Sequence, residues 1–577
     1  MTKNIVEFPN IGRGGGFGNP SNPTSGPLNP LDSKYYQRGS VQNIKIVSTA
    51  RAATAIVAPQ KNNLSEFTDI QEAIDSVDKL GGGTVLVKTG TYYPVAKIQL
   101  ASKVSLIGEG PENTIIDFSQ TSLDAGSSTL YSGGIEAIGD LVTETGTGII
   151  MTTGDATVTG TSTTFSDDGV KEGDILFFGN AAYIVDSVTS NTSLEIKKPF
   201  QGQTSPAATT YKILRPKNSI TVSNLKVKHT VQSNTDLIVI KNAQDVILDN
   251  IVADEASRTG LVLEAVHNFR IQNCQGVNGV TGISIDDTAF GSGVGVTDGQ
   301  ITNSYAFNNS TRGLLIDGEN INVVGGDYSH NDQGIKLQGE GASVIGTRIV
   351  ECDTDGIVIE DSAYNKIQGC FINGNGGDGV SLTVVAGPPT NDDTLIISNT
   401  ISSNGAYGVD INSTAQRTVI QNNDLASNTS GKINDLGVNT KADVWLSWTP
   451  TWTNITVGNG SVTARYIRLG DKVAFRIYLS FGSTTSISGD VTFSLPDDAH
   501  SNYSTQRFGA VGNATLHDAG TSVYTGVLYI DLSTSVAHIL AQDGSATYLF
   551  RSTLSSTVPF TWTTSDTIDV HGFYEAA

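Results

Sequence analysis

A short pattern of hydrophobic and polar positions repeats along the second half of the chain. In each repeat a glycine is followed by an apolar–any–apolar triplet and then by a polar residue. The repeats are Gly260–Glu264, Gly282–Asp286, Gly313–Asp317, Gly334–Gln338, Gly356–Glu360, Gly379–Thr383 and Gly408–Asn412, and the pattern fades at Gly431–Asp435. Successive glycines are 22, 31, 21, 22, 23, 29 and 23 residues apart. A second short apolar run lies about midway in each period, as at Ile321–Val324.

Short strands at this period, with glycine and asparagine at the corners, are typical of a parallel β-helix. Asparagine tolerates the left-handed backbone of a corner, and its amides can stack into a ladder. Asn308, Asn309, Asn375 and Asn404 precede repeat glycines by four or five residues, and Cys352 takes one turn of that predicted ladder. The competing interpretation is a Greek-key sandwich with coincidental glycine spacing. Five of the seven spacings lie within 21–23 residues, which favours the β-helix.

An amphipathic helix is predicted at residues 65–80. Its apolar face consists of Phe67, Ile70, Ile74, Val77 and Leu80. Thr68 with Gln71 predicts a capping box at its beginning, and Gly81–Gly83 ends it. A helix at this place would cover the open first coil of a solenoid.

Two stretches of this region resemble the pectate-lyase-like right-handed parallel β-helix superfamily, which is common among bacteriophage tailspikes. They are Phe67–Asp75 and Gly82–Tyr92. The resemblance covers about 65–135 and 217–435 and is far more specific for fold than for reaction. Between them, Val158–Phe165, Gly169–Phe178 and Ala182–Val185 predict short strands, similar to a small β-barrel module inserted in many phage tail proteins.

The C-terminal region contains all four tryptophans and strands of alternating pattern, such as Val462–Leu469 and Val473–Ser480. This predicts an antiparallel sandwich. Its two ends resemble the C-terminal domains of phage fibres and spikes, which implies trimerisation or glycan binding. Core packing is an equal alternative for each of Trp445, Trp448, Trp452 and Trp562.

The predicted fold is therefore all-β, and the chain divides into five parts. These are an N-terminal virion-attachment arm (1–45), the beginning of the β-helix with its capping helix (46–139), an inserted small β module (140–216), the parallel β-helix (217–440) and a C-terminal β-sandwich (441–577). The arm is rich in Gly, Pro and Asn and cannot bury a core by itself, so it is either flexible or ordered only against a partner.

Composition narrows the classes of function. The chain has 35 Lys and Arg against 57 Asp and Glu, a net charge of −22, which argues against nucleic-acid binding and against docking on anionic lipid. No run of 18 apolar residues is present, and the first residues lack the apolar core of a secretory signal. Three cysteines are too few, and odd in number, for a disulfide framework. A virion component made in the host cytoplasm and acting at the host cell surface fits these facts.

Two repeats are long, and their extra residues follow the strand at the same corner of the coil. The insertions at 286–298 and 383–393 are four coils apart, about 19 Å. They would wall a groove several sugar units wide.

Carboxylates line the floor of that groove. The candidate catalytic residues are Asp317, Glu360, Asp286 and Asp355, and the candidate glycan-binding residues are Glu319, Arg312, Lys336 and Gln338. Asp317 and Glu360 lie two coils apart, which suits an inverting glycosidase with carboxyl groups roughly 6.5–9.5 Å apart. The alternative is that β-helix corners are rich in Asp only because Asp suits turns.

Elimination by a lyase would need Ca²⁺ and a basic side chain, and the sequence motifs of the lyases are absent. No cofactor or metal site is predicted. A secreted cellular lyase is disfavoured by the missing signal peptide. We expect a phage tailspike or tail-fibre protein that joins other tail or baseplate proteins through its arm and recognises host surface polysaccharide, and the resemblance implies a homotrimer. It either depolymerises that polysaccharide by glycoside hydrolysis, or serves as a non-enzymatic fibre or decoration protein.

Overall fold

The computed structural model describes residues 53–60, 65–123, 132–178, 181–204, 209–229, 234–286, 297–385, 391–505, 509–543 and 550–577. The predicted arm at 1–45 lies outside the described residues. The described chain forms a parallel β-helix, with a closed barrel inserted near its beginning and an antiparallel module after its last coil. The predicted fold class is confirmed.

Each coil of the β-helix contributes strands to three parallel faces. The first face contains Ile98–Gln99, Gly133–Ile138, Thr281–Asp286, Arg312–Ile316, Gln333–Leu337, Ile357–Glu360, Val380–Thr383, Tyr407–Ile411 and Gly431–Asp435. The second face contains Ala53–Val57, Gly83–Val87, Val104–Ile107, Thr297–Thr302, Asn322–Val324, Ser343–Ile345, Lys366–Gln368, Leu395–Ile397, Val419–Gln421 and Lys441–Ala442. The third face contains Gly90–Tyr92, Thr114–Asp117, Gln275–Val277, Tyr305–Phe307, Arg348–Val350, Phe371–Asn373 and Thr400–Ser402. Three long strands bend around the corners and join the faces: Lys217–Lys228, Asp236–Asp254 and Thr259–Gln272.

Apolar side chains stack in columns along the interior. On the first face Ile285, Ile316, Leu337 and Ile359 pair in register from coil to coil, and all four are fully buried. Each such burial contributes about 1.5–3 kcal/mol. The columns join into one continuous core that runs from Ala55 to Leu446.

An asparagine ladder braces the corner between the third and first faces. Asn375 donates its backbone and side-chain N–H groups to Oδ1 of Asn404, at 3.1 and 2.9 Å, and Asn404 repeats both contacts with Asn428. Cys352 donates its backbone N–H to Asn375 and so takes one turn, as predicted. Asn331, which the sequence analysis did not assign to the ladder, accepts from Asn309.

The prediction for Asn308 was wrong in one respect, because its side chain is exposed beside the ladder and not part of it. Its backbone has a left-handed φ of 57°. The corner therefore uses the two adjacent asparagines differently, one for the turn and the other for the ladder.

The N-terminal helix spans Ile70–Asp78 and buries Ile70, Ala73, Ile74 and Val77. Its cap differs from the prediction: Asp69, not Thr68, is the N-cap, and its carboxylate accepts the backbone N–H of Glu72 at 2.9 Å. A carboxylate at this position also interacts favourably with the helix dipole. Leu80 lies beyond the helix and is exposed. Within the described residues no helix has the length and hydropathy to cross a membrane.

The inserted barrel leaves the first face after Gly133–Ile138 and returns at Lys217–Lys228. Its strands are Asp140–Met151, Thr157–Gly160, Ile175–Phe178, Ala181–Ser190, Ser193–Ile196 and Thr209–Arg215. Phe177 and Leu214 on its outside pack with Ala265 of the β-helix, and the ring of Phe177 stacks on His267. The barrel is thereby held at the corner between the first and second faces.

The C-terminal module is one antiparallel sheet of ten strands that encloses its own core. The strands are Leu446–Ser447, Trp452–Thr456, Ser461–Leu469, Lys472–Ser480, Ser486–Ser494, Gly509–Asp518, Ser522–Ile530, Val536–Asp543, Phe550–Thr553 and Thr567–Glu575, with a 3₁₀ helix at Ser501–Thr505. Trp448, Trp452 and Trp562 pack against this core, whereas Trp445 is 44% exposed. Core packing therefore accounts for three of the four tryptophans.

The ladder yields a stability prediction. Asn404→Ala leaves the N–H groups of Asn375 without their acceptor inside the corner, where an unsatisfied buried polar group costs about 1–3 kcal/mol. We expect a lower midpoint of thermal unfolding, followed by circular dichroism. Asn322→Ala, at an exposed strand position on the second face, is the control and should leave the midpoint unchanged. Equal midpoints for the two variants would contradict a bracing role for the ladder.

Candidate functional site

Polar side chains at the ends of the first-face strands stack into one column, which we call the carboxylate column. It consists of Glu264, Asp286, Asp317, Gln338 and Glu360. Glu264 pairs directly with Asp286, and the residues that precede Asp286, Asp317, Gln338 and Glu360 pair in turn from coil to coil. Three of the four predicted catalytic residues, Asp286, Asp317 and Glu360, therefore share this column.

Glu360 is held by two of the predicted glycan-binding residues. Lys336 Nζ lies 2.7 Å from Glu360 Oε1, and Gln338 Nε2 donates to the same oxygen at 2.8 Å. The side chains of Lys336 and Glu360 are 14% and 18% exposed, and Gln338 is also partly exposed, so a ligand on the first face can reach them. Lys336 therefore forms an ion pair with Glu360, and Gln338 adds a hydrogen bond to the same carboxylate oxygen.

The spacing of the column sets the distance between its carboxylates. Neighbouring coils lie about 4.8 Å apart, so Asp317 and Glu360, with Gln338 between them, are roughly 9–10 Å apart at the backbone. Carboxyl groups of inverting glycosidases are roughly 6.5–9.5 Å apart, and those of retaining enzymes about 5–5.5 Å. The backbone separation of Asp317 and Glu360 is therefore close to the upper limit of the inverting range.

Two predicted glycan-binding residues lie away from Glu360. Arg312 begins the strand that Asp317 follows, and it pairs with Thr281 and Gln333 at the opposite end of the first face. Glu319 bridges to Thr297 of the second face. The structure therefore gathers Lys336 and Gln338 around Glu360 but not Arg312 or Glu319.

Asp355 lies at the other end of its strand from Glu360 and braces the backbone. It accepts the backbone N–H of Asp378 at 2.6 Å, and Asp378 accepts that of Tyr407 at 2.7 Å. Asp236 accepts from Thr259 in the same way, several coils earlier. Carboxylates at this corner thus perform for neighbouring coils what asparagine performs in the ladder.

Burial and mutual repulsion act on these bracing carboxylates. Burial raises the pKa of Asp378 to about 6, the N–H of Tyr407 opposes that change, and the nearby Asp355 and Asp410 add to it. Burial likewise raises the pKa of Asp355. Ionising Asp355 and Asp378 is therefore unfavourable at this corner, although both carboxylates accept hydrogen bonds from backbone N–H groups of the next coil.

Two ion pairs in earlier coils were missed by the sequence analysis. Lys241 Nζ lies 3.0 Å from Glu264, and Arg258 Nε lies 3.5 Å from Asp236. Both carboxylates are completely buried, and burial raises the pKa of each to about 7 against the opposing effect of its cation. Lys241 and Glu264 lie at the end of the carboxylate column nearest the barrel, and Arg258 and Asp236 lie at the corner where the same strands begin. The first face is closed to solvent in these coils.

The predicted groove walls fall largely outside the described residues, at 287–296 and 386–390. Their attachment points are described: both segments follow first-face strands, Thr281–Asp286 and Val380–Thr383. The barrel is inserted after a first-face strand as well. All three insertions therefore interrupt the chain at the same corner, beside the carboxylate column.

No metal centre accompanies these residues in the part of the chain that the structure describes, because no three His, Cys, Asp or Glu side chains there converge on a point where an ion could bind. The three cysteines are free and buried.

The architecture defines the chain as a right-handed parallel β-helix protein. The family model described as "Right handed beta helix region" matches residues 294–446. No curated protein sequence matches the chain significantly.

Among solved structures, the chain is similar to the Dettilon tailspike protein (gp208), with a TM-score of 0.52, 12% identity, and coverage of 90% of this chain and 94% of that one. The mannuronan C-5 epimerase AlgE6 A-module of Azotobacter vinelandii gives a TM-score of 0.40 at 16% identity, covering 65% and 94%. The Gp54 tailspike of the Acinetobacter baumannii bacteriophage AP22 gives 0.35 at 11% identity, covering 88% and 94%. At these identities the Dettilon likeness shows the shared fold.

The raised pKa of Asp378 yields a pH prediction. Its folded pKa of about 6 exceeds the unfolded value of 3.8, so the penalty for ionising it is absent below about pH 4 and complete above about pH 6. Asp378→Asn keeps an acceptor for Tyr407 and removes that penalty. We expect the variant to be more stable than wild type by about 1 kcal/mol at pH 8, because a tenfold change in proton affinity corresponds to about 1.4 kcal/mol and solvent screens this half-buried group.

The measurement is urea unfolding of both proteins between pH 4 and pH 8. The difference should vanish at the acid end. Asp353→Asn, at an exposed position of the preceding coil, should show no such pH-dependent gain. A gain that persists unchanged at pH 4 would mean that ionisation of Asp378 is not its source.

Proposed function

We propose that this chain is a tailspike-like virion protein that binds surface polysaccharide along the first face and hydrolyses it at Asp317 and Glu360. The observation that carries the proposal is the placement of these two carboxylates in one column, two coils apart, with Lys336 and Gln338 fixing Glu360. A backbone separation of about 9–10 Å, on a face long enough for several sugar rings, supports a pair with the wider spacing that inverting glycoside hydrolysis requires.

The two carboxylates have different roles in this proposal. Glu360, which forms an ion pair with Lys336, accepts a proton from the water that attacks the anomeric carbon. Asp317 lies two coils from Glu360, with Gln338 on the coil between them. In its protonated form it donates a proton to the departing glycosidic oxygen as the bond to the anomeric carbon breaks. Asp286 continues the column toward the barrel but is buried, so we assign it no contact with the sugar chain. Asp355 is excluded from the pair because it braces the backbone at the far end of its strand.

The biological setting follows from the fold and composition. The Dettilon protein is a tailspike whose likeness spans 90% of this chain. An acidic, charge-poor surface suits a particle that meets cell-surface glycans, since it is repelled by nucleic acid and anionic lipid. We place the chain in the phage tail as a homotrimer, attached through residues 1–45 to other tail or baseplate proteins.

The test is release of reducing ends from capsule or O-antigen preparations of candidate hosts. We expect Asp317→Asn and Glu360→Gln each to reduce the rate by at least 100-fold, since general acid–base groups contribute about 10²–10⁴-fold to catalysis. Binding of the intact polysaccharide, measured on the same preparations, should remain. The matched control is Asp355→Asn, the same isosteric change at the bracing position, which should retain cleavage.

Three other results of the cleavage test would contradict the proposed function or the proposed site. Cleavage that survives both substitutions would remove Asp317 and Glu360 from the chemistry. Binding by wild type without any cleavage would favour the alternative, a non-enzymatic fibre or decoration protein. Loss of cleavage in Asp355→Asn alone would move the reaction to the opposite end of the strands.

A further inference from the structure

A depression on the C-terminal module combines two arginines with two exposed aromatic rings. It has a volume of about 490 Å³ and is lined by Trp445, Thr463, Arg465, Arg476 and Tyr478. Trp445 and Tyr478 are 44% and 41% exposed, unlike the other tryptophans, which pack on the core. Depressions of this size accommodate small ligands such as one or two sugar rings.

The two arginines stand directly opposite each other on neighbouring antiparallel strands. Like charges in this position repel each other. Arg476 is compensated by Asp569, whose carboxylate lies 2.9 Å from its Nη2. Arg465 donates to the backbone carbonyl of Trp445 at 3.3 Å, and no carboxylate of the described residues pairs with it. An uncompensated guanidinium therefore faces the depression.

The guanidinium, the aromatic rings and the hydroxyl group that line the depression can each bind a different part of an acidic sugar. A guanidinium forms two parallel hydrogen bonds with a carboxylate. Flat aromatic rings with exposed faces pack against the apolar side of a pyranose ring, and the hydroxyl of Thr463 can exchange hydrogen bonds with sugar hydroxyls. The net charge of −22 disfavours binding of a densely charged nucleic acid. A ligand with a single carboxylate can still bind here, because Arg465 supplies a local positive charge.

We infer that this depression binds a carboxylate-bearing sugar, a uronic acid residue of an acidic polysaccharide, through Arg465 with Trp445 and Tyr478 as the stacking surface. The site is separate from the carboxylate column, and the inference does not depend on cleavage at Asp317 and Glu360. It gives the module a recognition role for acidic glycans.

The test compares two probes that differ only in the carboxylate, methyl β-D-glucuronide and methyl β-D-glucoside. Binding to the full chain is measured by saturation-transfer NMR titration. We expect the wild type to bind the glucuronide at least tenfold more tightly than the glucoside. Arg465→Gln should weaken glucuronide binding at least tenfold and Trp445→Ala at least fivefold. The control Arg270→Gln, an exposed arginine of the second face, should bind as wild type does.

Three results would overturn the inference. The first is equal behaviour of the two glycosides with wild type, including no binding of either. The second is glucuronide binding that Arg465→Gln leaves intact. The third is a change of oligomeric mass in Arg465→Gln or Trp445→Ala, measured by light scattering, which would make the depression a contact between copies of the chain. The Asp317→Asn and Glu360→Gln variants should keep glucuronide binding, so a failure of the cleavage proposal is distinguishable from a failure here.

Discussion

Stacking of each residue on its counterpart in the next coil is the interaction on which the rest of this molecule depends. Backbone hydrogen bonds between parallel strands fix the separation of coils at about 4.8 Å. The same register that aligns Ile285, Ile316 and Leu337 inside the core also aligns polar residues outside it. Distances between candidate catalytic groups therefore come in steps of one coil. Backbone positions on adjacent coils are about 4.8 Å apart, and those two coils apart, such as Asp317 and Glu360, are about 9–10 Å apart. These two steps bracket the carboxyl separations of retaining and inverting glycosidases.

The register between coils also determines which acidic residues repel one another and which are paired with cations. At the corner where strands of the first face begin, a carboxylate must satisfy the backbone N–H of the next coil, so Asp355 and Asp378 lie close together and repel each other. In the carboxylate column Lys241 forms an ion pair with Glu264, and Lys336 forms one with Glu360. Glu264 and Asp286, the column positions nearest the barrel, are buried. Asp317, Gln338 and Glu360 farther along are partly exposed, and only these can meet a sugar chain.

The repeat of glycine and alternating apolar residues was sufficient to predict the β-helix, because one periodic signal determines both strand position and inward face. It also placed Asp286, Asp317 and Glu360 in one column. Features without a periodic signal were missed. The coil of Lys241 has Leu237 where later coils have glycine, so its ion pair with Glu264 was overlooked. Thr68 and Asp69 are both competent N-caps, and the sequence alone did not distinguish them, whereas in the structure Asp69 accepts the N–H of Glu72. Asp355 is indistinguishable in sequence from a catalytic acid, because its bracing role depends on a backbone N–H in the next coil.

The most direct measurement is a crystal structure of the Glu360→Gln variant soaked with a repeat-unit oligosaccharide of a polysaccharide that the wild type cleaves. We expect sugar rings along the first face, with one glycosidic oxygen beside Asp317 and the anomeric carbon facing position 360 across a water molecule. Oligosaccharide bound only on the second or third face, with the carboxylate column empty, would contradict it.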